Sequence, residues 1–488
     1  MKIVKERTRL IFTEYTPLEK KQIEDLVASM DNVFLYQDPD DKMIGLPTGM
    51  EETIKRKFLS ASFTDRSSEY WDYARIQPVH HTAKPRNQLQ EDFISFVIEN
   101  SKKKQKLAGI LSPGTGKTFM ACYSAIEMGL RTLIIVPTSG IKVQWGETLT
   151  GMFKVPKERV VVVNKPKDFI NVKADFVVVT QASLAVLNKT YDLERIMHDN
   201  KFGIKVIDEV QMWFHNIIKV DANSNIANNW YLTGTFGRSG DTENRLYQEM
   251  FGDLAIFREK DKTPTLFNPK PGNVYGMKPH MHVKMMWTHS GLSREEIEKV
   301  TSSMRYSERE GKWMRYGISI PAYTALVIPE DGTMTVFLKN VLKIVRMAEN
   351  EVKYGRMLIL SPTIASVNVI AKYVQKMFPD KKIGTINSHN PKVENDRVKA
   401  ECNILISTVK SCGTGFDVKD LSKLVVAEQF KSWILADQVS GRLRRRPDGK
   451  DTYMWDIVDA DIRQLRAWAN ARADVLKRKS KTFKVVDL

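Results

Sequence analysis

Ser112-Pro113-Gly114-Thr115-Gly116-Lys117-Thr118 is the first stretch whose residue types and spacing suit chemistry. It follows the apolar run Leu107 to Leu111 and leads into a helical pattern from Phe119 to Met128. Glycines let backbone N–H groups turn inward at a helix N-terminus, where the aligned peptide dipoles also favour an anion. Gly114, Thr115 and Gly116 would cradle phosphates, Lys117 would meet the β- and γ-phosphates of ATP, and the Thr118 hydroxyl would hold Mg²⁺. The strict pattern has glycine where Leu111 stands, so the mouth of the loop departs from it while Gly114 to Thr118 keep it. A chance turn is the competing reading, and the flanking strand and helix weigh against it.

Lys205 to Ile207 reads as a strand ending in Asp208-Glu209-Val210-Gln211. Adjacent carboxylates repel one another unless a cation sits beside them. Asp208 then supports Mg²⁺, Glu209 polarises the water that attacks the γ-phosphate, and Gln211 senses that phosphate. Such a pair could instead cap the next segment, a role that loses weight downstream of a phosphate loop.

The third group is Gln438-Val439-Ser440-Gly441-Arg442-Leu443-Arg444-Arg445. On a helix Arg442 and Arg445 share a face, and guanidinium groups aimed at a transferring phosphoryl group offset the charge of its transition state. Arg444 and Arg446 read instead as a solvated basic face or as phosphate-backbone contacts. The expectation is an ATP site closed by Lys117 and Thr118 from one domain and by Arg442 and Arg445 from another.

The elements that hold these groups can be read from the spacing of apolar residues. After Thr82, wholly apolar runs (Leu133 to Val136, Val160 to Val163, Phe176 to Val179) alternate with amphipathic stretches, as in a parallel sheet covered on both faces. A second series has strands at Arg356 to Leu360, Lys382 to Ile386, Ile404 to Ser407 and Lys423 to Ala427. The fold class is therefore α/β, with two tandem doubly wound parallel-sheet domains. Residues 1–80, with strands at Arg9 to Thr13 and Val33 to Tyr36 and a helix from Pro17 to Met30, read as a small N-terminal α/β domain. The expected division is 81–257 for the first sheet domain, 258–331 for a linker or insert partly belonging to the second, and 332–488 for the second.

The chain has 488 residues, of which 42% are hydrophobic, enough apolar material for two to four domains. A net charge of +17 favours a polyanionic partner, nucleic acid first, because basic residues gain by releasing counterions from phosphates. No run reaches the roughly 18 apolar residues of a membrane span and the start has no apolar signal core, so a cytoplasmic location and no membrane partner are expected. Cys122, Cys402 and Cys412 lack zinc or disulfide spacing and read as reduced thiols.

With these groups in order, the sequence resembles the superfamily 2 helicases, with motifs spanning nearly all of residues 84–460. Val136-Pro137-Thr138 with Gln144-Trp145 looks like the motif after the first sheet strand in the UvsW, RecG and XPB-like branch, and Thr180-Gln181 like the next. Thr233-Gly234-Thr235 stands where the family has Ser-Ala-Thr. Ser361-Pro362-Thr363 looks like the fourth motif, and Thr408 with Gly413-Thr414-Gly415-Phe416-Asp417 like the fifth. The resemblance implies two RecA-like domains, and a nucleic-acid track along Pro137, Thr138, Thr180, Gln181, Ser361, Thr363 and Thr408. It also implies coupling through Thr233 and Thr235, and a place near ATP for Gly415 and Asp417. Arg86-Asn87-Gln88-Leu89-Gln90 resembles the adenine-reading segment one residue out of step, with Gln90 preferred and Gln88 open. Gln211 in place of His sets the chain apart from the DEAH and DEAD groups, and it looks most like phage-encoded branch-migration helicases.

The expected activity is that of a monomeric ATP-dependent DNA helicase or translocase, moving 3′ to 5′ on single-stranded and branched DNA, in the host cytoplasm if phage-encoded. An RNA helicase, the translocating part of a restriction system and a basic annealing protein with an inactive motor are the alternatives. Trp213, Phe214, Trp313 and Tyr316 are candidates to stack on bases, against a core role for each. Arg463 to Lys484 reads as an amphipathic basic helix.

Overall fold

The computed structural model of the chain describes residues 1–28, 36–37, 43–103, 106–112, 114–212, 214–234, 251–259, 279–301, 303–307, 312–411, 418–446 and 448–488. Thr235, Gly415, Asp417, Trp213, Cys412 and most of the expected strand Val33 to Tyr36 lie outside these residues. So do the side chains of Phe214, Trp313 and Tyr316. The chain forms two compact units, Met1–Gly276 and Met277–Leu488.

The first unit opens with five strands: β1 (Lys2–Lys5), β2 (Arg9–Thr13), β3 (Tyr36–Gln37), β4 (Ile44–Pro47) and β5 (Ser62–Asp65), in the order β3-β4-β2-β1-β5. Only the β1–β5 pair of this sheet is parallel. The helix from Pro17, whose described part is Pro17–Ala28, buries Ile23 against Leu10, Phe12 and Ile44. The same apolar cluster continues into the larger sheet through Ile135, Val179 and Tyr231 and into a helix beside it through Ile217, so this small sheet shares its core with the larger one. Polar contacts fix the join. Arg7 Nη2 donates to Ala227 O at 2.8 Å, Thr8 Oγ1 to Asp221 O at 2.7 Å, and Arg9 Nη2 to Glu194 Oε1 at 2.7 Å.

The larger sheet has seven parallel strands: β6 (Leu107–Ile110), β7 (Thr132–Val136), β8 (Val160–Val162), β9 (Phe176–Thr180), β10 (Ile204–Ile207), β11 (Asn228–Thr233) and β12 (Ala255–Arg258). Their order is β12-β6-β11-β10-β7-β9-β8. The interior strands β7, β9, β10 and β11 are buried along their whole length because helices cover both faces, while edge strands β8 and β12 are half-buried.

The second unit has another seven-stranded parallel sheet and a hairpin. Its strands are β13 (Met281–Thr288), the hairpin pair β14 (Ser303–Ser307) and β15 (Lys312–Gly317), β16 (Arg356–Leu360), β17 (Ile383–Ile386), β18 (Ile404–Ser407), β19 (Leu421–Val426), β20 (Thr452–Asp459) and β21 (Ser480–Asp487). The sheet order is β17-β18-β16-β19-β20-β13-β21. Within the stretch expected as linker or insert, β13 runs inside this sheet between β20 and β21. The expected basic helix from Arg463 to Lys484 ends at Lys479, and Ser480–Asp487 forms the edge strand β21. The β-branched Thr482, Val485 and Val486 favour the extended form, and Phe483 packs on the sheet's core. Under β20, Arg472 Nε donates to Asp456 Oδ2 at 2.8 Å, both groups fully buried.

Candidate active site

In open parallel sheets, ligands sit beyond the carboxyl ends of the strands. In the first unit, the loop after β6 and the acidic segment after β10 both emerge there. Leu111 continues β6 and its N–H donates to Thr233 O at 2.9 Å, which ties the mouth of the loop to the end of β11. The Leu111 side chain is fully buried in the apolar core, so the departure from glycine is absorbed by packing. Gly114 and Gly116 take φ of 84° and 96°, the left-handed region. That backbone conformation favours glycine at 116, and a Cβ there would stand 2.5 Å from Gln90 Nε2 and displace that amide.

Gln90 and Arg86 grip the loop. Gln90 Nε2 donates to Thr115 O at 2.8 Å, its Oε1 accepts from Arg86 N at 3.0 Å, and Arg86 Nη2 donates to Gly114 O at 2.6 Å. Gln88 instead bonds Asp92 on the exposed side of the helix Gln88–Lys102. Lys117 opens the helix Lys117–Met128, and its ammonium donates to Leu111 O at 3.1 Å and lies 3.6 Å from Glu209 Oε1. Thr118 follows in the first turn.

Asp208 continues β10, its N–H donating to Ile135 O of β7 at 2.9 Å. Its Oδ1 accepts from Glu209 N at 3.0 Å and its Oδ2 from Trp145 Nε1 at 2.9 Å. Burial, and then the charge of Glu209, push the Asp208 carboxyl up to about 6, with Lys117 pulling the other way. A hard dication beside the Asp208 carboxylate would relieve that load, which is the chemistry a Mg²⁺ ion supplies. Glu209 adopts a φ of 50°, an uncommon conformation for a side-chain-bearing residue. Gln211 Nε2 donates to Glu209 Oε2 at 2.5 Å, and Thr233 Oγ1 donates to Gln211 Oε1 at 2.6 Å. Loop, carboxylates, Gln211 and Thr233 thus form one connected group.

Glu259, just past β12, is a member of this neighbourhood that the sequence did not disclose. Its Oε2 accepts from Ser112 N at 2.6 Å, so a buried carboxylate holds the first amide of the loop. Only the pairing of β12 with β6 brings it there.

The expected nucleic-acid residues also stand at carboxyl ends of strands, each within its own unit. Thr138, after β7, caps the helix Ser139–Glu147, and Thr180, at the end of β9, caps Gln181–Leu187 by accepting from Ser183 N at 3.2 Å. Pro137 precedes that first cap, and the Gln181 side chain is buried. In the second unit Thr363 caps Ile364–Met377 through Ser366 N at 3.1 Å. Ser361 N donates to Ser407 O at 2.9 Å, and Thr408 Oγ1 accepts from Ser411 N at 3.1 Å. Local capping accounts for the hydroxyls of Thr138, Thr180 and Thr363 by itself.

Arg442 and Arg445 do not lie on a helix. The helix Trp433–Ser440 stops at Gly441, and both arginines follow in a turn anchored by buried Leu443. Glycine is a poor helix former, and Pro447 disfavours helical backbone at the residue before it. Arg445 is exposed and Arg442 half-buried. Arg446, expected as a solvated or phosphate-facing group, is instead buried and paired with Asp420 at 2.6 Å and Asp448 at 2.8 Å.

Cys122 is buried, and burial raises its thiol well above the ordinary value. Among the described residues no helix is long and apolar enough to cross a membrane.

A family model described as the type III restriction enzyme res subunit matches residues 83–236. "Putative helicase 161L" of Invertebrate iridescent virus 6 is 22% identical over 374 residues, which are 75% of this chain and 74% of that protein. The fragment structure of a "putative HsdR subunit of a type I restriction enzyme" from Vibrio vulnificus YJ016 matches with a TM-score of 0.53 at 13% identity, covering 84% of this chain and 70% of that one. The DEAD-box helicase Mss116 bound to ssRNA and UDP-BeF matches with a TM-score of 0.53 at 13% identity, over 82% and 74% of the two chains. Two parallel sheets with flanking helices are the tandem RecA-like pair. The family match over residues 83–236 and the viral relative support an ATP-dependent helicase or hydrolase activity for the chain.

Proposed function

We propose that this chain is a DNA helicase or translocase that moves 3′ to 5′ and remodels branched DNA such as forks and four-way junctions. The observation that carries the motor reading is the hydrogen-bonded run from Thr233 through Gln211 to Glu209, beside Lys117 and Asp208. DNA, polarity and junctions are supported by the likeness of the motifs to the UvsW, RecG and XPB-like branch and by the net charge of +17.

In this reading Gln90 reads the adenine, backbone N–H groups of Gly114 to Gly116 bind phosphates, and Lys117 neutralises the β- and γ-phosphates. Thr118 and Asp208 hold Mg²⁺, which when bound neutralises phosphate charge. Glu209 orients the attacking water and accepts its proton. Gln211 reports the γ-phosphate to Thr233 and Thr235, while Arg442 and Arg445 offset charge on the transferring group. Pro137, Thr138, Thr180, Gln181, Ser361, Thr363 and Thr408 contact the strand. The chain acts as a monomer, and residues 1–80 add DNA affinity.

Unwinding measured side by side on forks, four-way junctions and 3′- and 5′-tailed duplexes, with RNA controls, tests the substrate. Preference for RNA, or for 5′ tails, overturns that part. Full DNA-stimulated ATP hydrolysis by Lys117→Ala would sink the site, and full activity in Arg445→Ala would remove the arginine role.

A further inference from the structure

Trp145 lies on the helix Ser139–Glu147, which follows β7 and crosses back over the sheet. Its side chain is fully buried in the apolar cluster with Ile134, Val136 and Phe153. Filling that volume needs a ring and no polar atom. Trp455, equally buried in the second unit, has no hydrogen-bond partner for its indole nitrogen among the described residues, so burial alone does not demand one. Trp145 Nε1 is spent on one acceptor, Asp208 Oδ2 at 2.9 Å. With Oδ1 accepting from Glu209 N at 3.0 Å, both oxygens are engaged, and the plane of the carboxylate is set by two donors from different elements.

A buried carboxylate that must present a lone pair to a metal gains from a fixed orientation, and partners that orient a ligand are a large part of such sites. We propose that Trp145 is a positioning residue of the ATPase site, its indole N–H holding Asp208 in the orientation that receives the nucleotide's Mg²⁺. The inference rests on Asp208 being the metal-supporting carboxylate.

Trp145→Phe keeps an aromatic ring and removes the donor. Binding of a fluorescent, non-hydrolysable ATP analogue would be titrated at equilibrium against Mg²⁺, with the fold checked by circular dichroism. The half-saturating Mg²⁺ should rise roughly ten- to a hundredfold while metal-free nucleotide binding stays as in the wild type. A folded Trp145→Phe protein with the wild-type Mg²⁺ dependence overturns the proposal.

The second measurement needs no nucleotide. The chain has nine tryptophans, and in a ¹⁵N spectrum of the indole groups Asp208→Ala should move one downfield signal upfield, the signal that Trp145→Phe deletes. An unmoved set of indole signals overturns the proposal even if Trp145→Phe fails to fold. Failure of the wild type to bind the analogue would instead sink the reading of the ATP site, and the indole spectrum would still decide whether Trp145 holds Asp208.

Discussion

Thr233 Oγ1 donates to Gln211 Oε1 at 2.6 Å, so a side-chain hydrogen bond joins the end of β11 to the acidic segment after β10, beside the backbone bond from Val210 N to Leu232 O at 3.0 Å. Because Gln211 Nε2 holds Glu209, a movement of the β11 end is transmitted to the carboxylate through one amide. Thr233→Val keeps the shape and removes the donor. A neutral hydrogen bond contributes about 0.5–1.5 kcal/mol, so kcat for ATP should fall roughly two- to tenfold with nucleotide affinity unchanged. Steady-state hydrolysis and equilibrium nucleotide binding on the same preparation check it.

Glu209→Gln removes the proposed proton acceptor while leaving Gln211 a partner. Hydrolysis should slow by roughly 10²- to 10⁴-fold with ATP binding retained. A trapped, ATP-bound protein that still holds nucleic acid is the expected phenotype, seen by co-elution of unhydrolysed nucleotide.

Arg472 and Asp456 form a fully buried pair beneath β20, with Arg472 Nη1 also donating to Phe430 O at 2.9 Å. Arg472→Ala leaves a buried charge unpaired and should cost about 3–5 kcal/mol of the second unit's stability. The double change Arg472→Met with Asp456→Leu should recover most of it. Urea denaturation of the three proteins measures both effects.

Glu428 follows β19, where burial pushes its carboxyl up to about 7 against the pull of the Val409 N–H and of Lys410. The folded protein therefore keeps this proton through a range in which the unfolded chain, near the ordinary 4.5, has released it. Binding more protons when folded, it is favoured at low pH. That contribution is complete below 4.5 and is lost as the pH rises to about 7. Glu428→Gln mimics the protonated group, so its Tm should match the wild type near about pH 4.5 and exceed it near about pH 8. Equal Tm values at both ends would refute it.

The placement of the Gly114–Thr118 loop and of the acidic segment was legible because their residues sit in short contiguous runs beside a strand, and the buried parallel strands because unbroken apolar runs are rare elsewhere. β11 hid behind Asn228 and Asn229, which are polar yet buried, their side-chain amides donating to Gly203 O and Ile226 O at 2.8 Å. β13 hid in a Met-rich stretch whose alternation is broken by Met285-Met286. The helix drawn through Arg442 and Arg445 ran past Gly441, where spacing outweighed the stop signal. Trp145 beside Asp208 and Glu259 beside Ser112 are separated by 63 and 147 residues, and no local pattern encodes such meetings.

The small sheet at the start of the chain rests on partners made much later. Arg7 waits for Ala227, 220 residues on, and at about 5–20 residues per second a ribosome takes roughly 10–45 s to deliver it. Through that interval Leu10, Phe12 and Ile54, which finish inside the shared core, lack the covering that Ile217 and Tyr231 supply. The nascent chain thus carries an early, sticky surface whose protection is a matter of timing. Slowing translation between residues 65 and 227 should raise the fraction that aggregates before the motor domain closes over it.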